Sequence, residues 1–121
     1  MNLLNKLIET EDSKKMSERG LLFGSYEDMG FRLFEHIKIN DKVSLSVQAS
    51  YAHYCQPRKT LPLDQYESME LAILKNNKFA SVDKIINDEI LIEKLNEFYE
   101  GTVYGCVPVE LLEQLYQKLL N

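Results

Sequence analysis

The chain reads as an α+β domain. The expected architecture is a mainly antiparallel sheet of four to five strands, with an N-terminal helix and two C-terminal helices packed on one face. Three observations predict it. Residues Val43 to Ala52, VSLSVQASYA, alternate apolar and small polar side chains, the period-two signature of a strand with one buried face. Two late segments, DEILIEKLNEFYEG and PVELLEQLYQKLLN, carry apolar residues at helical spacing. Asn40-Asp41 and Asn76-Asn77 stand between extended runs, where tight turns need them.

Taken in order, NLLNKLIE places Leu3, Leu4, Leu7 and Ile8 on one helical stripe. The polar TEDSKKMSERG either continues that helix on its exposed side until Gly20 stops it, or forms a loop. LLFGSYEDMG reads as a connection or a short strand. FRLFEHIKIN, a turn, and VSLSVQASYAHYC then make a hairpin. In its second arm Val43, Leu45, Val47, Ala49 and Tyr51 face the core, and Ser44, Ser46, Gln48, Ser50 and Ala52 face out. In its first arm Leu33, Ile37 and Ile39 suit the core, while Arg32, Phe34, His36 and Lys38 share the polar face. QPRKTLPLDQ holds two prolines and reads as a loop.

A second hairpin follows, with Met69, Leu71 and Ile73 alternating before the Asn76-Asn77 turn and Phe79 in the return. The next helix is capped by Asn87 and ended by Gly101, and buries Leu91, Ile92, Leu95, Phe98 and Tyr99. TVYGCV is a short strand. Pro108 opens the last helix, whose apolar face is Leu111, Leu112, Leu115 and Leu119. No repeat or linker divides the chain, so residues 1–121 form a single domain.

Composition narrows the function. The 121 residues are 45% hydrophobic and 27% charged, as in soluble globular domains. No apolar run is long enough to span a membrane, and the N-terminus lacks a signal peptide's pattern, so a cytoplasmic protein without membrane partners is expected. Net charge is −5, and residues 61–121 hold five cations against eleven acids. Such a chain has no electrostatic reason to bind nucleic acid directly, but could meet a basic protein surface. Cys55 and Cys106 form no CxxC, and in a cytosolic chain two reduced thiols are the default. There is no Gly-rich phosphate loop, HExxH, GxSxG or kinase motif.

The richest stretch is YAHYCQPRK, Tyr51 to Lys59. Continued strand register would put His53 and Cys55 on one side, but a zinc site needs further ligands that nothing in the spacing brings in. A Cys–His nucleophile likewise lacks a visible oxyanion hole. No metal, cofactor or catalytic residue is assigned. The bland alternative is a strand running into a loop, with Cys55 buried and His53 hydrogen-bonded. Within the loop, Arg58 could hold a phosphate or carboxylate, or pair with Asp64 or Glu67. The candidate binding residues are therefore His53, Tyr54, Gln56, Arg58 and Lys59, with Arg32, His36, Ser46 and Gln48 of the polar sheet face.

VSLSVQASYAHYCQPR, followed by YESMELAIL and VYGCVPVELLEQL, resembles a group of small uncharacterised proteins from phages and prophages of Firmicutes. These combine a VQAS…YHYC.PR strand-and-loop with a terminal GYVPVE strand-to-helix step. The resemblance covers roughly residues 42–120 and carries no activity over to any residue. It implies an accessory protein of a mobile element, acting in a bacterial host cell by binding a host or phage protein, with inhibition of a host defence nuclease, in the manner of anti-CRISPR proteins, among the roles it suggests. The expected function is accordingly a non-enzymatic interaction protein, open to homodimer formation through a sheet edge. The alternative is a module holding a phosphate-bearing or nucleotide-like molecule in Tyr51–Lys59.

Overall fold

A five-stranded sheet organises the chain in the computed structural model, which describes residues 3–18, 27 and 30–121. The strands are β1 (Ile37–Lys38), β2 (Val43–Gln48), β3 (Ser68–Lys75), β4 (Lys78–Phe79) and β5 (Tyr104–Pro108). The helices are α1 (Glu11–Glu18), α2 (Glu89–Asn96) and α3 (Val109–Leu120). All pairings are antiparallel. β3 is central, with β2 and then β1 on one side, and β4 and β5 sharing the other.

Both expected hairpins form, each for the anticipated reason. In the first, the Asn40 carboxamide accepts the Lys42 and Val43 amides at 2.8 and 2.9 Å, a side-chain turn. In the second, Asn76 and Asn77 adopt φ of 55° and 64°, the left-handed pair a tight two-residue turn requires. Val43, Leu45, Val47 and Ala49 are buried on one face, and Met69, Leu71 and Ile73 sit beside them with no exposure at all. Leu91 and Leu95 of α2 and Leu111, Leu112 and Leu115 of α3 close the same core. Burying such side chains supplies roughly 1.5–3 kcal/mol each before ordering costs.

Four boundaries differ from the sequence expectation. The N-terminal apolar stripe is not a helix but one 3-10 turn, Leu4–Lys6, after which the chain is extended. Thr10 donates its amide to Leu33 O, and Ile8 O accepts the Glu35 amide, so this segment adds to the sheet edge and leaves Ile8 exposed. The helix starts later, in the polar stretch, because Thr10 Oγ1 accepts the Ser13 amide and Glu11 and Asp12 suit the positive end. The connection or short strand expected over residues 21–30, and the helix stop at Gly20, lie largely outside the described residues.

α2 is capped by Asp88, whose carboxylate accepts the Leu91 amide, rather than by Asn87. The α-helix ends at Asn96 and gives way to tighter turns, Phe98 to Leu95 and Tyr99 to Asn96, where Phe98 O accepts the Gly105 amide and Glu100 donates to Val103 O, tying residues 98–100 to the start of β5. Tyr99 is therefore exposed rather than buried.

The third difference concerns β1. Its register places Phe34 opposite Gln48, but the strands have parted there. The Gln48 carboxamide fills the gap. Its Oε1 accepts the Phe34 amide at 2.8 Å, and its Nε2 donates to Phe34 O at 2.9 Å and Ser46 Oγ at 3.0 Å. A side-chain amide thus replaces one rung of the ladder. Phe34 is buried and Leu33 exposed, the reverse of their expected solvent exposure.

The fourth concerns the end of β2. Alternation stops at Gln48, and Tyr51 is exposed rather than facing the core. Gln48 pairs with Glu70 and Gln56 with Ser68, so residues 49–55 together stand opposite a single residue of β3, Met69. This excursion is the segment singled out in the sequence.

Candidate functional site

The excursion is held by groups within it and beneath it. Ser50, fully buried, anchors the turn. Its Oγ accepts the Ala52 amide at 3.2 Å and shares a 2.7 Å hydrogen bond with His53 Nδ1. Its carbonyl accepts the His53 amide and, at 3.4 Å, the Cys55 thiol. Tyr54 then crosses β3 on the side away from the helices. Its amide donates to Glu70 Oε2 at 3.0 Å, and its carbonyl accepts the Cys106 amide of β5, also at 3.0 Å. The crossing is close: a Cβ on Gly105 would lie 3.3 Å from Tyr54 Cβ and 3.4 Å from the Glu100 side chain. Glycine makes that approach comfortable; a side chain there would oblige Tyr54 or Glu100 to give by a few tenths of an ångström.

The return limb is fixed through Thr60 and Tyr66. Thr60 Oγ1 accepts the Tyr51 amide at 3.0 Å and donates to Gly30 O. The buried Tyr66 hydroxyl accepts from Leu61 N at 2.9 Å and Arg32 Nη2 at 3.1 Å, and donates to Lys59 O. Arg32 also donates to Ala49 O at 3.0 Å and lies over the Phe34 ring at 4.9 Å. Its role is to join the first arm to both ends of the excursion.

What remains outward is an aromatic and cationic patch. Tyr51 is 47% exposed and Tyr54 51%. The exposed Arg58 guanidinium lies 5.2 Å from the Tyr54 ring centroid, and its Nε donates to Tyr51 O at 3.1 Å. Neither Asp64 nor Glu67 forms an ion pair with it among the described residues; the carbonyl and the ring fix the guanidinium instead. Lys59 pairs with Glu27 at 3.5 Å. Glu70 and Glu100 lie alongside, giving the patch a mixed rim.

Of the residues predicted from sequence, Tyr54 and Arg58 come together on this surface; Gln56 and Lys59 are exposed on the same loop, Gln56 joined to β3 by its backbone and Lys59 paired with Glu27. His53 belongs to the same loop but is buried at 9% exposure, beneath Phe31 with ring centroids 5.7 Å apart. Burial, chiefly, pushes its pKa below 6.5, with Arg32 and Arg58 adding to the shift and Glu70 opposing it. The polar sheet face is not the open surface expected. Gln48 is 3% exposed and engaged with Phe34, Ser50 is sealed, and Ser46 is half-buried against Gln48. Gln48 therefore completes the fold and is not presented to a partner. His36 is exposed on the first arm, with no hydrogen bond or ion pair to the loop among the described residues.

Cys55 is buried and donates weakly to Ser50 O and Pro57 O, each at 3.4 Å. Burial pushes its thiol pKa up, the opposite of an activated nucleophile. Cys55 and His53 each have a partner of their own in Ser50, as the bland reading of the loop anticipated. Among the described residues, no three His, Cys, Asp or Glu side chains converge as a metal site would need. No described helix is long and apolar enough to cross a membrane.

Sequence reasoning missed Ser50, Thr60, Glu70 and Gly105, which build the loop's supports. Their signal is tertiary: each acts across a sequence separation that one chain does not reveal, except for Ser50, whose local turn chemistry was masked by strand alternation. No protein-family model, curated protein or solved structure matches the chain.

Proposed function

We propose that this chain is a protein-binding module whose contact surface is the loop Tyr51–Lys59. The observation that carries the reading is the combination at Tyr54. Its backbone is pinned through both its N–H, which donates to Glu70, and its C=O, which accepts from Cys106, while its ring stays half-exposed under the Arg58 guanidinium. Tyrosine and arginine dominate interface hot spots because they bring large contact area and directed hydrogen bonds. A patch already held in place also loses little conformational entropy on binding. The resemblance to proteins of mobile elements supplies the setting. The partner class is then a host or phage protein, with inhibition of a host defence nuclease as one outcome.

The test is capture from bacterial lysate on the immobilised chain, compared with a Tyr54→Ala/Arg58→Ala variant of matched thermal stability. A partner held by the parent and lost by the variant supports the loop as contact surface. Equal capture by both moves the contact elsewhere. A specific observation keeps a second reading in play: only Nε of the Arg58 guanidinium has a hydrogen-bond acceptor among the described residues. A phosphate-bearing ligand would use the remaining N–H groups. A midpoint raised by nucleotides in the parent but not in Arg58→Ala, with no protein captured, would favour that reading.

A further inference from the structure

We propose that Cys55 and Cys106 are a redox pair that closes to a disulfide across the loop–β5 contact. They lie far apart in sequence, but one hydrogen bond makes them neighbours: the Cys106 amide donates to the carbonyl of Tyr54, the residue bonded to Cys55, at 3.0 Å. Standard peptide geometry then limits their Cα atoms to about 7 Å apart at most. A disulfide spans about 4.4–6.8 Å between Cα atoms, a range that this ceiling only just exceeds. The thiols also sense each other electrostatically, since Cys106 contributes to the raised pKa of Cys55.

Two features divide the roles. Cys106 is half-buried and reachable, whereas Cys55 is 3% exposed. Cys106 also sits at φ 50°, a left-handed conformation that costs a non-glycine residue energy. With Gly105 it stands opposite the single residue Glu70, where β5 slips its register against β3 between Met69 and Leu71. Cys55 is held only by two thiol contacts of 3.4 Å, which its single proton cannot satisfy fully at once, so turning its side chain loses little.

The chemistry needs a low-molecular-weight disulfide as oxidant. The Cys106 thiolate attacks it, forming a mixed disulfide and releasing one thiolate. Cys55, deprotonated, then attacks the Cys106 sulfur, forming the internal S–S bond and releasing the second thiolate. Two cysteine thiols are oxidised and one external disulfide is reduced to two thiols. Closure would tie the loop covalently to β5, independently of what that loop binds.

The experiment incubates the folded chain with glutathione disulfide, quenches with acid, alkylates remaining thiols and measures intact mass. The expected product is about 2 Da lighter than the reduced chain, unalkylated and without glutathione. It should also have a higher thermal midpoint that dithiothreitol reverses. Cys55→Ser should stop at one stable glutathione adduct on Cys106, and Cys106→Ser should keep an unmodified Cys55 thiol. Either of two results in the parent overturns the proposal: two alkylatable thiols remaining, or a persistent glutathione adduct. Thermal unfolding of both serine variants checks that they are folded.

Discussion

Replacing Gln48 tests the least expected feature of the fold. The Gln48 carboxamide satisfies both the N–H and the C=O of Phe34, at 2.8 and 2.9 Å, in a site where Gln48 and Phe34 are both buried. Methionine has a similar length and volume but neither the donor nor the acceptor. Gln48→Met would therefore strand two backbone groups with little cavity. Each unsatisfied buried group costs about 1–3 kcal/mol, so the expected loss for the two is about 2–6 kcal/mol. That is a large share of the roughly 5–15 kcal/mol a domain possesses. Gln48→Ala should lose somewhat more, because a cavity is added. Gln48→Glu keeps the acceptor for the Phe34 amide but sets a carboxylate against its carbonyl. It should therefore be worst at neutral pH and recover partly in acid, where the protonated group donates. Urea unfolding of the parent and three variants, read as midpoint and slope, measures all of this. A Gln48→Met protein within about 0.5 kcal/mol of the parent would refute the reasoning, because two stranded groups cannot cost so little.

Three further outcomes follow from the same geometry. Tyr104 is fully buried and its hydroxyl accepts the Val82 amide at 2.9 Å, so Tyr104→Phe should cost about 1–3 kcal/mol in urea unfolding. Asn77 at φ 64° should accept glycine without loss, whereas Asn77→Val should lose about 1–2 kcal/mol by the same assay. His53 has a folded pKa below 6.5 because burial disfavours its charged form, so the unfolded chain binds the proton more readily. Its contribution to stability is then full above about 6.5 and is lost as pH falls from there through the folded pKa. The parent should lose more stability than His53→Gln between pH 7.5 and 5.5, and equal losses would count against the buried, neutral imidazole.

The sequence was most legible where local rules and the tertiary fold agree. The two hairpins follow from Asn40 and Asn76-Asn77 with alternating flanks, and α3 from Pro108 and its leucine stripe, because turn chemistry and amphipathic period act over a few residues. The N-terminal stripe misled because Leu3, Leu4 and Leu7 do reach the core, but through a 3-10 turn leading to an edge pairing with Leu33–Glu35. Strand pairing with a distant segment outweighed local period. The candidate site was half legible. Its outward residues stood out by type, but their support by Glu70, Thr60 and Cys106 depends on long-range contacts. The alternation that makes β2 readable also carried the reading too far: the pattern persists through Tyr51 in sequence, while the backbone leaves the sheet after Gln48.

The central claim is that Tyr51–Lys59 is a preorganised surface, and amide hydrogen exchange tests it most directly. The Tyr54 and Cys106 amides, donating to Glu70 and to Tyr54, should exchange at least about 100-fold more slowly than an unstructured chain. Exchange of both amides within about 10-fold of the unstructured rate would mean that the loop is not held across the sheet, and the account of Tyr54 and Arg58 as a ready-made contact would fall.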